Sequence, residues 1–84
     1  MNLVYITQYM DRKIEENVNK VTITFFELRI KEDLSQEDTY IFLRMSKQRL
    51  TNLGYKIYDT GEKYMYNGKE EEVKSNEFYV AIKE

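Results

Sequence analysis

Residues 35–54 have the sequence SQEDTYIFLRMSKQRLTNLG and predict one long α-helix over residues 36–53. Ser35 is a favourable N-cap, and Asp38 stands three residues later, where an acidic side chain completes a capping box. Gly54 supplies the left-handed residue that commonly ends a helix. We expect the rest of the chain to pack around this helix.

The predicted helix has two unlike faces. At about 100° per residue, its apolar face holds Phe42, Leu43, Ser46, Leu50 and Leu53. The opposite face holds Tyr40, Arg44, Lys47 and Thr51. Tyrosine and arginine are over-represented at binding hot spots, so this polar stripe is the first candidate partner-binding surface. The alternative is a charged outer face that serves solubility alone.

Two strands are predicted before the helix, over residues 3–10 and 18–31, with a turn at residues 15–17. In the second strand the apolar residues change parity between Phe25 and Phe26. A β-bulge there would return both apolar sets to the same side. The alternative is a strand that is covered on both faces near its middle.

After the helix, Asn67–Gly68 is a strong signal for a two-residue hairpin turn with positive φ at both residues. That turn sets Tyr66 opposite Lys69 and Tyr64 opposite Glu71, and it also pairs Lys63 with Glu72. A final strand alternates Phe78, Val80 and Ile82 with more exposed residues.

These elements predict a single domain over residues 1–84 of the α+β class. We expect a mostly antiparallel sheet of about four or five strands, with the one α-helix packed on one face. The predicted core comprises Phe42, Leu43, Leu50 and Leu53 of the helix and Ile23, Phe25, Leu28, Phe78, Val80 and Ile82 of the sheet.

The composition argues against most catalysis near neutral pH. The chain has no histidine and no cysteine, which removes the side chain that titrates near neutrality and the strongest nucleophile. We therefore expect no catalytic residue, no metal site and no cofactor. The longest apolar runs are far shorter than the ~20 residues of a membrane helix, so we expect no membrane partner and a cytoplasmic location.

Charge is segregated along the chain. Residues 27–38 contain five acidic and two basic residues, residues 44–56 contain four basic and no acidic ones, and residues 59–72 again contain five acidic and two basic. The net charge is −2. A chain without one continuous basic field does not favour general nucleic-acid binding.

Two short motifs carry resemblances to enzymes. Asp59–Thr60–Gly61 resembles the active-site tripeptide of aspartic proteases, but Glu62 follows it and no later apolar pair ending in glycine appears, so we interpret it as a turn. Asp59 with Glu72 and Lys74 resembles the metal-binding Asp…Glu-x-Lys pattern of a nuclease superfamily. The competing interpretation of the second motif is a solvated edge strand.

Tyr64 and Tyr66 form the second candidate surface, because both lie on one face of the predicted hairpin. Tyrosines on a sheet can stack nucleic-acid bases or contact a protein. The alternative is cross-strand structural packing, and Glu70, Glu71 and Glu72 on the facing strand would repel a phosphate backbone.

We therefore expect a small non-enzymatic protein-binding module that occupies a partner's surface. An accessory or inhibitory protein of a phage or other mobile element, such as an anti-CRISPR or other anti-defence protein, would act in this way. The alternatives are a single-stranded nucleic-acid-binding protein and, third, a metal-dependent nuclease. A homodimer through an exposed edge strand is a further partner hypothesis.

Overall fold

The computed structural model describes all 84 residues, Met1–Glu84, and confirms the α+β class. The elements in chain order are α1 (Leu3–Glu16), β1 (Lys20–Thr24), a π-helix (Phe26–Lys31), α2 (Gln36–Asn52), β2 (Tyr55–Asp59), β3 (Lys63–Tyr66), β4 (Lys69–Glu72) and β5 (Glu77–Lys83). The five strands agree with the expected number, but they form two antiparallel sheets, of three and two strands, instead of one, and there are three helical elements where one was predicted. None of them has the length and apolar character needed to cross a membrane.

The helix α2 lies where the sequence predicts it. Ser35 Oγ accepts a hydrogen bond of 3.0 Å from the Asp38 backbone N–H, and Gly54 has a φ of 91°. Phe42 and Leu50 are fully buried, as expected. Leu53 was wrongly placed in the core, because the helix ends at Asn52 and the Leu53 side chain is 41% exposed.

The first predicted strand, residues 3–10, is wrong, since this segment belongs to α1. Asn2 caps the helix by accepting a 2.7 Å hydrogen bond from the Val4 N–H. Ile6 and Met10, one helical turn apart, are both buried in the core. Burial of that face outweighs the local strand preference of Val4 and its neighbours.

The second predicted strand is correct only as far as Thr24. At Phe25 the backbone turns to φ −57°, ψ −44°, and the π-helix follows. Glu27 explains the change, because its carboxylate accepts hydrogen bonds from both the N–H and the hydroxyl of Thr24. Phe25, expected in the core, is consequently 46% exposed.

The sheet has the order β1–β5–β2, all antiparallel, with β5 in the centre. Tyr79 and Ala81 face the core formed with the two α-helices, whereas Val80 packs in a second cluster on the other side. The predicted inward face of β5 is therefore wrong for Val80 and Ile82. Alternation could not identify the inner face because both faces of β5 are covered.

The hairpin β3–β4 covers that second side and confirms the predicted register. Tyr66 pairs with Lys69 and Tyr64 with Glu71, and the turn residues Asn67 and Gly68 have φ values of 52° and 78°. Lys63 lies opposite Glu72 as expected, but its ion pair, at 3.6 Å, is with Glu70, the diagonal neighbour.

Candidate functional site

The outer face of α2 brings the first set of predicted site residues together. A groove of about 380 Å³ is lined by Tyr40, Leu43, Arg44, Lys47, Gln48 and Thr51. All four residues of the predicted polar stripe are among them. Tyr40 is the most exposed large apolar side chain in the molecule, at 68%.

A second cavity of about 270 Å³ continues from this groove. It is lined by Phe25, Arg29, Gln36, Thr39, Tyr40, Leu43 and Phe78. Tyr40 and Leu43 line both cavities, so the two form one continuous surface, which we call the α2 groove. Sequence reasoning missed Phe25, Arg29 and Phe78, because it assigned both phenylalanines to the core and Arg29 to the polar side of a strand.

The floor of the second cavity is aromatic. The rings of Phe25 and Phe78 lie 5.9 Å apart, centroid to centroid, at an interplanar angle of 37°. The Arg29 guanidinium lies 5.7 Å from the centre of the Phe25 ring, within the range of a cation–π interaction. An apolar surface with a cation at its edge suits a ligand that has both apolar and anionic groups.

The α2 groove is basic although the protein as a whole is acidic. Arg29, Arg44 and Lys47 line it, and no aspartate or glutamate does. Lys47 is already paired, with its Nζ 2.6 Å from Asp59 Oδ1. Arg29 and Arg44 form no ion pair within the chain. Their charges are therefore free to meet an external anion.

A buried carboxylate holds Phe25 and the π-helix after it, which carries Arg29, at the groove. The Oε1 atom of Glu27 accepts a 2.5 Å hydrogen bond from the Tyr9 hydroxyl and lies 3.0 Å from Lys13 Nζ. Its Oε2 atom accepts the two bonds from Thr24. This network joins the start of the π-helix to α1.

The pKa values of this network follow from its contacts. Burial by itself would raise the pKa of Glu27, but the hydrogen bonds from Tyr9 and Thr24 and the charge of Lys13 lower it overall. Burial and the hydrogen bond to Glu27 raise the pKa of Tyr9. Burial and the hydrogen bond to Glu32 raise the pKa of Tyr5 to about 12. Glu27 is thus held as a carboxylate, and both tyrosines remain protonated donors.

The second set of predicted site residues does not form an exposed surface. Tyr64 is only 6% exposed and packs with Val73 and Val80, and Tyr66 is half-buried against the same cluster. Lys20 Nζ lies 5.2 Å from the Tyr64 ring centre and 4.9 Å from that of Tyr66. The partner-binding hypothesis is wrong about their exposure, because the hairpin packs its tyrosine face onto the sheet.

The residues of the nuclease-like pattern lie in different surroundings. Glu72 and Lys74 line a polar cavity of about 410 Å³ together with Lys20, Tyr64, Glu71 and Glu77. Asp59 does not line it, and its carboxylate is paired with Lys47. No group of three or more aspartates or glutamates is arranged to hold a metal ion. The structure therefore does not assemble these three residues around one position.

Comparison with known proteins gives no further guide, since no protein-family model, curated protein or solved structure matches the chain.

Proposed function

We propose that this protein is a small non-enzymatic binding module that occupies the surface of a partner protein through the α2 groove. The observation that carries the proposal is the combination of Tyr40, exposed by 68%, with two unpaired arginines around an aromatic floor. Tyrosine and arginine in such a setting are the side chains most often found at binding hot spots.

The apolar part of the groove supports this proposal energetically. Phe25 is half-exposed and Tyr40 is largely exposed. Fully burying one large apolar side chain stabilises a protein or complex by about 1.5–3 kcal/mol, and these two leave much of that free energy unused. Both side chains belong to one patch that also contains Leu43 and Phe78. A partner that covers the patch recovers this free energy.

Single-stranded nucleic acid is the second candidate ligand, because the same groove offers cations beside an exposed ring. The support is weaker than for a protein. Only two of the cations that line the groove are unpaired, and the hairpin tyrosines that would have formed a stacking platform are packed onto the sheet. Stacking on several rings is what gives single-strand binders most of their affinity.

The test of the proposal is affinity purification from the native host with two matched variants. Tyr40→Ala removes an exposed ring from the groove, and Met65→Ala removes a similarly exposed apolar side chain, 59% accessible, from the hairpin. We expect Tyr40→Ala to lose the partner, with a cost in affinity of about 2 kcal/mol or more, and Met65→Ala to retain it. Equal recovery of the partner by both variants contradicts the proposal.

Three expectations from the sequence remain part of the proposal. They are a cytoplasmic location, action as an accessory or inhibitory protein of a phage or other mobile element, and self-association through an edge strand. For the last, β1 and β2 are the outer strands of the three-stranded sheet. Cell fractionation, binding of host proteins and sedimentation equilibrium test these three in turn.

A further inference from the structure

The residues that line the α2 groove indicate which kind of protein segment it binds. The inference rests on the proposed function. From the groove we infer that the partner presents a short acidic segment with one large apolar side chain. The apolar side chain enters the cavity between Phe25, Phe78 and Leu43, and the flanking carboxylates meet Arg29 and Arg44.

The charges of the groove suit an anionic partner. Five basic side chains of the molecule have a carboxylate partner, among them Arg49 with Asp11 at 2.7 Å and Lys20 with Glu71 at 3.3 Å. Arg29 and Arg44 are among the basic side chains that have none, and no acidic residue lines the groove that holds them. In a chain with more acidic than basic residues, two unpaired arginines on one acid-free surface complement an anionic partner.

The dimensions of the groove suit a short peptide segment. The cavity over Phe25 and Phe78 has a volume of about 270 Å³ and adjoins the longer part of the α2 groove, which has about 380 Å³. It continues along α2 to Thr51, eleven residues after Tyr40, which is about 16 Å at the helical rise. About five residues of extended chain span that distance. The dimensions suit one anchoring side chain within a short segment.

A protein segment fits better than a nucleic acid for two reasons. Two free cations neutralise at most two phosphates, which gives a salt dependence far below that of proteins that track a nucleic-acid backbone. Glu37 also stands in the first turn of α2, three residues before Tyr40, where it repels a continuing phosphate chain. A short carboxylate-bearing segment can end before it reaches Glu37.

The experiment selects ligands from a displayed library of random nine-residue peptides with the wild-type protein as bait. Recovered peptides are then titrated against Tyr40→Ala and Arg44→Glu. Lys69→Glu is the matched charge control and Met65→Ala the matched apolar control, since both of these residues are exposed on the hairpin. A twelve-nucleotide single-stranded DNA serves as the competing probe.

We expect the selected peptides to be rich in aspartate and glutamate around one large apolar residue. Their affinity should fall at least tenfold with Tyr40→Ala and with Arg44→Glu, and should change less than twofold with either control. Selection repeated with Arg44→Glu as bait should lose the acidic preference.

The other outcomes are distinguishable. Peptides that need Tyr40 but are not acidic, and that ignore Arg44→Glu, overturn the inferred chemistry and leave the proposed binding function standing. Peptides that bind independently of Tyr40 overturn both. Tighter binding of the DNA probe than of any selected peptide, lost with Arg44→Glu, overturns the inference in favour of nucleic acid.

Discussion

Tyr40 on α2 and Tyr64 on β3 lie on opposite sides of the central sheet, and 68% of the first side chain is exposed against 6% of the second. Each has a basic residue near it. Arg44 beside Tyr40 is unpaired, whereas Lys20 beside Tyr64 is bound to Glu71. A tyrosine beside a basic residue thus stabilises the fold in one place and is available to a partner in the other. The difference is whether the ring is buried and the charge is paired within the chain.

The largest effect that tests this contrast is on stability. Tyr64→Ala should lower the free energy of unfolding by about 2–4 kcal/mol, because it empties the small cluster formed with Val73 and Val80. Tyr40→Ala should change it by no more than about 0.5 kcal/mol, as is usual at exposed positions. Urea denaturation of both variants measures the difference. Equal midpoints would show that the two tyrosines do not have the separate roles assigned here.

A change at the hairpin turn should have the next largest effect. Gly68→Val should destabilise the domain by about 1–3 kcal/mol, because a β-branched residue is strained at a φ of 78°. A Cβ atom there would meet no neighbour within 4 Å, so the cost comes from the backbone alone. Replacement by asparagine, which tolerates this conformation, is the control and should cost markedly less. A valine variant as stable as the asparagine one would contradict the turn assignment.

Substitution of Glu27 tests whether the α2 groove depends on the buried hydrogen-bond network around this carboxylate. Glu27→Gln should cost about 1–2 kcal/mol, since it removes the charge that Lys13, Tyr9 and Thr24 stabilise. It should also weaken partner binding, because the π-helix that carries Arg29 loses its anchor.

The same residue gives a pH dependence whose sign follows from its pKa. The pKa of Glu27 is lower in the folded than in the unfolded chain, where it is about 4.5. Its contribution to stability is therefore complete above pH 4.5 and is lost as the pH falls through the folded-state pKa. Urea denaturation from pH 7 down to pH 3 should show a smaller acid loss in Glu27→Gln than in the wild type. Parallel profiles would contradict this role.

The smallest expected effect is at an exposed ion pair of the hairpin. Lys63 and Glu70 are 3.6 Å apart and both largely solvated, so Lys63→Ala should change the free energy of unfolding by less than about 0.5 kcal/mol. Thermal denaturation at low and high salt checks this. A cost comparable with that of Tyr64→Ala would mean that the hairpin is held by charge rather than by its buried tyrosine.

The sequence predicted the elements that carry their own local signals. The hairpin register follows from Asn67–Gly68, and the bounds of α2 follow from Ser35 and Gly54, because the turn and caps depend only on neighbouring residues. The same helical periodicity identified Tyr40 and the rest of the polar stripe as one surface.

Each missed element combines a local signal with contacts between distant residues. The strand-like sequence after Leu3 forms α1 because Asn2 caps it and because Ile6 and Met10 find a core built from later elements. The π-helix begins at a capping box in which Thr24 and Glu27 bond each other, a local signal that the interpretation of residues 18–31 as one strand missed. The bond from Tyr9, eighteen residues before Glu27, ties this start to α1, and that contact could not be predicted from neighbouring residues.

The proposed binding surface is the α2 groove and not the hairpin. The most direct measurement is a titration of the isotopically labelled protein with the tightest selected peptide, followed through the amide resonances. We predict that the largest shifts fall at Arg29, Tyr40 and Arg44, with residues 63–72 unchanged. Largest shifts within residues 63–72, with α2 unaffected, would contradict the claim.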